Sequence, residues 1–179
     1  RIYAQSENRI GEVIRERGGL PEGFIVSTKL DRDPDTGRFD AAAARRSLET
    51  SLKLLNLDRV DILHLHDPEY VKDPNDYAGP DGSIAELMKM KEEGLTTATG
   101  LAAGPVDLMM PLMRDWDFDV VLSHNRYTLM NRNADPLIDL AVSRGMAVWN
   151  AAPYGGGLLA KGTAAHPRYA YKTASEEVL

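Results

Sequence analysis

Apolar residues along this chain recur in two rhythms: a spacing of three and four that fits helices, and short aliphatic runs that fit strands. Ser6 is placed to cap a first helix in which Ile10, Val13 and Ile14 share a face and Gly18-Gly19 form the stop. Phe24 to Lys29 is a β-prone run that ends in a lysine and a polar loop at 31–38. Asp40 opens a second helix that buries Ala41, Ala44, Leu48, Leu52 and Leu55 and leaves Arg45, Arg46, Glu49 and Lys53 wet. It feeds a strand in Arg59 to Pro68. Side chains alternate along a strand, so Ile62, His64 and His66 take one face while Leu63 and Leu65 take the other.

The same alternation continues. After a long polar loop with Pro74, Gly79 and Pro80, Ser83 and Glu86 have capping-box spacing for a helix with Ile84, Leu87 and Met88 that stops at Gly94. Leu95 to Ala102 reads as a strand, Pro105 to Met113 as a helix that Pro111 bends or ends, and Phe118 to Ser123 as a strand with a polar end at His124-Asn125. Asp135 as cap, Pro136 as first residue and Gly145 as terminator punctuate a further helix, and Met146 to Ala151 is the last strand. Gly155-Gly156-Gly157 is either a flexible loop or one that lets backbone approach a ligand closely, its donors then facing an anion. Pattern is lost over 160–179.

Strand and helix alternate through five strands with no hairpin signal, which predicts parallel strands joined by covering helices. No Gly-x-Gly-x-x-Gly follows a strand and no P-loop is present, so an eight-stranded TIM (β/α)8 barrel is favoured over an open nucleotide-binding sheet. In such barrels ligands meet the carboxyl ends of the strands. Five strands cannot close eight, so the expectation is a single barrel domain over 1–179, an incomplete portion of a longer protein.

Composition narrows the partner. The 179 residues are 43% hydrophobic and 27% charged with a net charge of -6, and no basic stripe points to nucleic acid or an anionic membrane. A small molecule is the expected partner. The absence of cysteine suits a reducing cytoplasm, and no apolar run reaches the roughly 18 residues of a membrane helix.

Tyr3-Ala4-Gln5-Ser6-Glu7-Asn8-Arg9-Ile10-Gly11, then Ser27-Thr28-Lys29-Leu30, then Val60 to Pro68 resemble three consecutive motifs of the aldo-keto reductases, and Ala152-Pro153-Tyr154-Gly155-Gly156-Gly157-Leu158-Leu159 is similar to the family's loop after the seventh strand. His124 to Leu129 and Asn150 to Tyr154 resemble the branch of aldose, fucose and galactose 1-dehydrogenases. The resemblance implies an NAD- or NADP-dependent oxidoreductase of the cytoplasm, monomeric or homodimeric, acting without metal on a small carbonyl or sugar. An aldose oxidised at C1 is the expected substrate. It implies Tyr3, Lys29 and His66 as catalytic, and His124, Ala151, Ala152, Tyr154, Gly155 and Leu158 as cofactor-binding. A phenol titrates near pH 10, and an adjacent ammonium in a site of low dielectric favours the phenolate, so Lys29 can tune Tyr3 as proton donor or acceptor. His66 can orient the substrate oxygen.

Several positions depart from the family's pattern. The aspartate that pairs with the lysine precedes the tyrosine in the family, where this chain has only Arg1 and Ile2, and the resemblance implies that the first two strands and the C-terminal strand and helices are missing as well. Ala4 replaces a glycine, Ala102-Ala103 a Ser-Asn pair that holds the carboxamide, His124 a glutamine and Ala151 a stacking aromatic. Two other functions fit parts of the pattern. His64-x-His66 is the spacing by which barrel hydrolases hold zinc, with His124 as a third nitrogen, but that use leaves Tyr3 and Lys29 without a role. A reductase-like scaffold that binds nucleotide without turnover is the other. Within the dehydrogenase class, reduction of a small aldehyde or oxidation of a ring-borne alcohol such as pyridoxal's hemiacetal is the runner-up.

Overall fold

The computed structural model describes residues 4–170, 172–176 and 178. They form two compact units, 1–101 and 102–179. In the first, α1 (Ala4–Glu16), β1 (Ser27–Leu30), α2 (Ala41–Leu55) and β2 (Val60–His66) are followed by a 3-10 turn (Pro68–Tyr70), α3 (Asn75–Ala78), α4 (Ser83–Glu92) and β3 (Thr96–Ala103). β1, β2 and β3 lie side by side in chain order, with β1 and β2 parallel. Alternation sends Leu30, Leu63 and Leu65 to the helical side, where they are fully buried with Leu48, Ile84, Leu87 and Met90. Each such side chain contributes roughly 1.5–3 kcal/mol by leaving water.

α2 follows its sequence signals closely. The Asp40 carboxylate accepts the Ala43 N–H at 2.9 Å and caps the helix, and Asn56 ends it in the left-handed region at φ 57. Arg45, expected to be wet, is half-buried and binds Glu86 and Glu93. Hydrogen bonding to Glu93 is the main cause that holds its guanidinium charged well above the usual range.

Other elements differ from the expectation for physical reasons. Ser6 lies inside α1 rather than at its cap, and Ile10 and Val13 are 47% and 49% exposed, while Ile14 is buried. The contact face runs instead through Gly11, where a Cβ would lie 1.9 Å from the Leu54 carbonyl oxygen of α2. A residue without a side chain is invisible to a hydrophobic periodicity. β1 begins only at Ser27, because Phe24 turns back on Pro21 and the Val26 carbonyl is taken by the N–H groups of both Asp61 and Ile62. Phe24 and Ile25 are left exposed. The capping box at Ser83 does not form: Gly82 holds the cap position and Glu86 turns to Arg45.

The second unit contains α5 (Val106–Asp115), β4 (Val120–His124), α6 (Asp135–Ser143), β5 (Ala147–Ala151), a 3-10 turn (Gly155–Gly157), α7 (Leu158–Lys161), β6 (Arg168–Tyr169) and β7 (Lys172–Thr173). β4 and β5 pair in parallel, from Val120 beside Ala147 to His124 beside Ala151. α5 does not end at Pro111 but continues to Asp115, with the proline on its exposed side. α6 starts one residue earlier than its punctuation indicated, with Asp135 helical and Ala134 at the cap. The antiparallel pair β6 and β7 falls where the sequence shows no pattern. Among the described residues no helix is long and apolar enough to cross a membrane.

The seat of α1 is testable. Gly11→Ala is expected to destabilise the protein by about 1–3 kcal/mol through overpacking, whereas Ile10→Ser on the exposed face changes stability by less than about 0.5 kcal/mol. Urea unfolding midpoints of the two variants check this, and a larger loss at residue 10 would contradict the packing.

Candidate active site

The parallel register of β1 and β2 builds the site. Ser27 stands beside Ile62 and Lys29 beside His64, so continuing the ladder past Leu30 and Leu65 sets Asp31 beside His66. Lys29 and Asp31 share the face of β1 opposite Leu30, and His64 and His66 share the face of β2 opposite Leu63 and Leu65. The result is a cavity of about 200 Å³ walled by Lys29, Asp31 and His66, with Ser6 and Glu7 contributed by α1. Glu7 accepts the Thr28 hydroxyl at 2.6 Å and ties that helix to the strand. The Asp61 carboxylate accepts the Val26 N–H at 2.7 Å and locks the other end of the register.

His66 is largely buried, and its Nδ1 lies 2.6 Å from Asp31 Oδ1. Its Nε2 is 3.5 Å from Asp67 Oδ2. Asp67 adopts the left-handed region at φ 46, a conformation uncommon for a residue with a side chain and concentrated at functional positions. His64 is different. It is 1% exposed, and its ring lies where a Cβ on Gly100 of β3 would come within 2.1 Å of Nδ1. Burial first, then the charges of Lys29 and His66, pushes its pKa down to about 4, so it is neutral and packs beneath the site.

Of the three residues expected to be catalytic, Lys29 and His66 meet in one cavity, and Tyr3 lies outside the described residues. Asp31 and Gly100 were missed by sequence reasoning. Nothing local distinguishes Asp31 from its loop neighbours, and only the register brings it to the imidazole.

In the second unit, His124 ends β4 beside Ala151. Asn125 follows in the left-handed region at φ 58, donating its N–H to the Ala151 carbonyl at 3.1 Å. Its carbonyl accepts from Asn131 Nδ2 at 3.2 Å and the Tyr169 hydroxyl at 3.0 Å. Its side-chain nitrogen lies 3.2 Å from His124 Nδ1. Its Oδ1 is buried without a hydrogen-bond partner among the described residues, a position that costs free energy unless a donor arrives. Ala152 is also left-handed at φ 55, and Tyr154 is 65% exposed.

Gly155, Gly156 and Gly157 have φ of 59, 68 and 106, which only glycine adopts without strain in succession. The N–H groups of Gly155 and Gly157 are bonded to the carbonyls of Ala152 and Tyr154, so those two donors do not require an anion. A Cβ on Gly156 would meet nothing within 4 Å, which leaves the turn approachable there. The Leu158 side chain is buried at 2% exposure, so any ligand contact from it is through backbone. Asn125, Asn131 and Tyr169 were not singled out from sequence, although an asparagine just beyond a strand is a weak sign of a left-handed turn.

Parallel strands joined by helices, with polar side chains collected at their carboxyl ends, define a portion of a TIM (β/α)8 barrel, here with five of its strands. The chain belongs to the aldo/keto reductase family, whose model matches residues 1–178. It is 31% identical to L-galactose dehydrogenase of Arabidopsis thaliana over 86% of this chain and 48% of that protein. It is 29% identical to D-threo-aldose 1-dehydrogenase of a Pseudomonas species over 87% of this chain and 54% of that one. A solved aldo-keto reductase from Bombyx mori in complex with NADP superposes with a TM-score of 0.66 at 22% identity, over 92% of this chain and 54% of the other. The chain thus spans about half the length of the curated relatives it matches. Membership of this family leaves the zinc-hydrolase use of His64 and His66 without support.

The neutral His64 has a consequence for stability. The unfolded ring titrates near 6.5 and the folded one near 4, so the unfolded chain binds the extra proton in between. Stability is present above pH 6.5 and is lost as pH falls toward 4. Thermal unfolding followed across that window should show the decline, and His64→Gln should flatten it. An unchanged slope in the variant would assign the acid sensitivity elsewhere.

Proposed function

We propose that the protein is an NAD- or NADP-dependent oxidoreductase that oxidises an aldose at its anomeric carbon to a lactone. The observation that carries this is the convergence of Lys29 and His66 on one cavity at the carboxyl ends of β1 and β2. Membership of the aldo/keto reductase family and the sugar dehydrogenases among the relatives support the substrate class.

The second unit's residues fit a nicotinamide cofactor on an observation of their own. Asn125 Oδ1 is a buried acceptor that awaits a donor, as a carboxamide would supply, beside His124 and Ala151 at the ends of β4 and β5. Ala152, Tyr154, Gly155 and the Leu158 backbone belong to the turn that follows, and the open face at Gly156 admits a ligand. A bound oxidised nicotinamide would supply the acceptor for the hydride lost from C1. Tyr3, in the role the family motif implies, takes the hydroxyl proton as the C1–O double bond forms, and the Lys29 ammonium favours the phenolate that does so. His66 orients the sugar through a second hydroxyl. Small sugars or carbonyls are the partners, in a cytoplasmic setting.

A panel of aldoses assayed with both cofactors on the full-length protein, followed by reduced-nicotinamide absorbance, tests this. Turnover of an aldose is expected, with kcat lowered roughly 10²-fold or more by Tyr3→Phe, Lys29→Met or His66→Gln, the range typical of lost acid–base groups. Tight cofactor binding with no turnover of any aldose or aldehyde would instead mark a nucleotide-binding protein without catalysis.

A further inference from the structure

We propose that Asp31 is a positioning residue for His66: it holds the imidazole with its proton on Nδ1, so that Nε2 presents a lone pair to a substrate hydroxyl. This deepens the dehydrogenase reading above and rests on His66 facing the substrate. A carboxylate can only accept a hydrogen bond, so at 2.6 Å from Asp31 Oδ1 the ring nitrogen Nδ1 must be the donor. In a neutral imidazole one nitrogen carries the hydrogen and the other is an acceptor, and the partner at one nitrogen thereby decides the role of the other. With Nδ1–H engaged, the remaining capacity of the ring is acceptance at Nε2. That suits a polyhydroxylated sugar, in which a hydroxyl other than the one that gives its proton to Tyr3 donates to Nε2, and it fixes the ring plane as well as the tautomer.

The arrangement is built rather than incidental. The ladder offset that pairs Lys29 with His64 continues to Asp31 and His66, so the partnership follows from backbone register and not from a chance rotamer. Asp31 is anchored on its own account, donating its N–H to the hydroxyl of the buried Ser47 on α2 at 3.0 Å. Its neighbour Arg32 stacks over the Tyr70 ring at 5.2 Å, tying the same loop to the turn that follows β2. Asp67 Oδ2, at 3.5 Å from Nε2, stands beside the acceptor position and can take a second donor from a polyhydroxylated ligand.

The test uses ¹⁵N-labelled full-length protein. Its four histidines include only one ring bonded in this way to Asp31, and His66→Gln identifies the resonance. At a pH where the ring is neutral, the His66 spectrum should report hydrogen on Nδ1. Asp31→Asn can offer an N–H to Nδ1 and should move the hydrogen to Nε2. In the same variant kcat for the sugar should fall roughly tenfold or more, as misplaced catalytic groups do, while cofactor affinity stays within about twofold of wild type, and Asp31→Glu should recover part of the loss. A wild-type ring protonated on Nε2, or an Asp31→Asn protein with tautomer and kcat unchanged, would overturn the assignment. If the wild-type protein turns over no sugar, the dehydrogenase reading fails, while the ring spectrum still upholds or overturns the role of Asp31.

Discussion

The pairing of β1 with β2 is the constraint from which the site follows. A parallel ladder has one register or another with no intermediate, and a slip of one residue would send Lys29 and Asp31 to the helical side and Leu30 into the cavity. Two features hold the register. On the helical side, Leu30, Leu63 and Leu65 are removed from water entirely, which a slip would reverse. At the start of the pair, the Asp61 side chain and the Asp61 and Ile62 amides all converge on Val26. The side chains that face the cavity are therefore placed in part by leucines that do not line it.

The interior beneath the cavity is polar by necessity of the same alternation. His64 shares its face with His66 and cannot be placed elsewhere, so its cost is limited by Gly100, whose missing side chain leaves room for the ring against β3, and by remaining neutral. On the helical side the cross-linking is electrostatic. Arg45 of α2 reaches Glu86 and Glu93 of the α4 region, joining the two helices that cover the strands. The second unit uses a different device, with the Asn125 carbonyl gripped by Asn131 and Tyr169 so that the chain turns left-handed just beyond β4.

Much of this was legible in the sequence, and the parts that were not share a cause. The alternation of strands and helices, the Asp40 cap, the two faces of β2 and the polar strand ends follow from local patterns in which each residue speaks for itself. What escaped was decided by partners distant in the chain. Gly11 displaces Ile10 and Val13 from the packed face only because Leu54 lies opposite, and Glu86 abandons the Ser83 cap only because Arg45 is near. Asp31 is an ordinary loop aspartate until, thirty-five positions on, the ladder returns His66 beside it. Tyr169 reaches Asn125 from a segment whose composition shows no rhythm at all.

The bare surface of Gly11 sets a length elsewhere. α1 rests against the end of α2 at a depth that no larger residue permits, and nearer its start Glu7 meets the Thr28 hydroxyl of β1. A helix is a stiff rod, so lifting it by the width of a methyl group at one point displaces its near end by a comparable amount. The seat of Glu7 against Thr28 is thus governed one turn away, by a hydrogen atom where any other amino acid would place carbon.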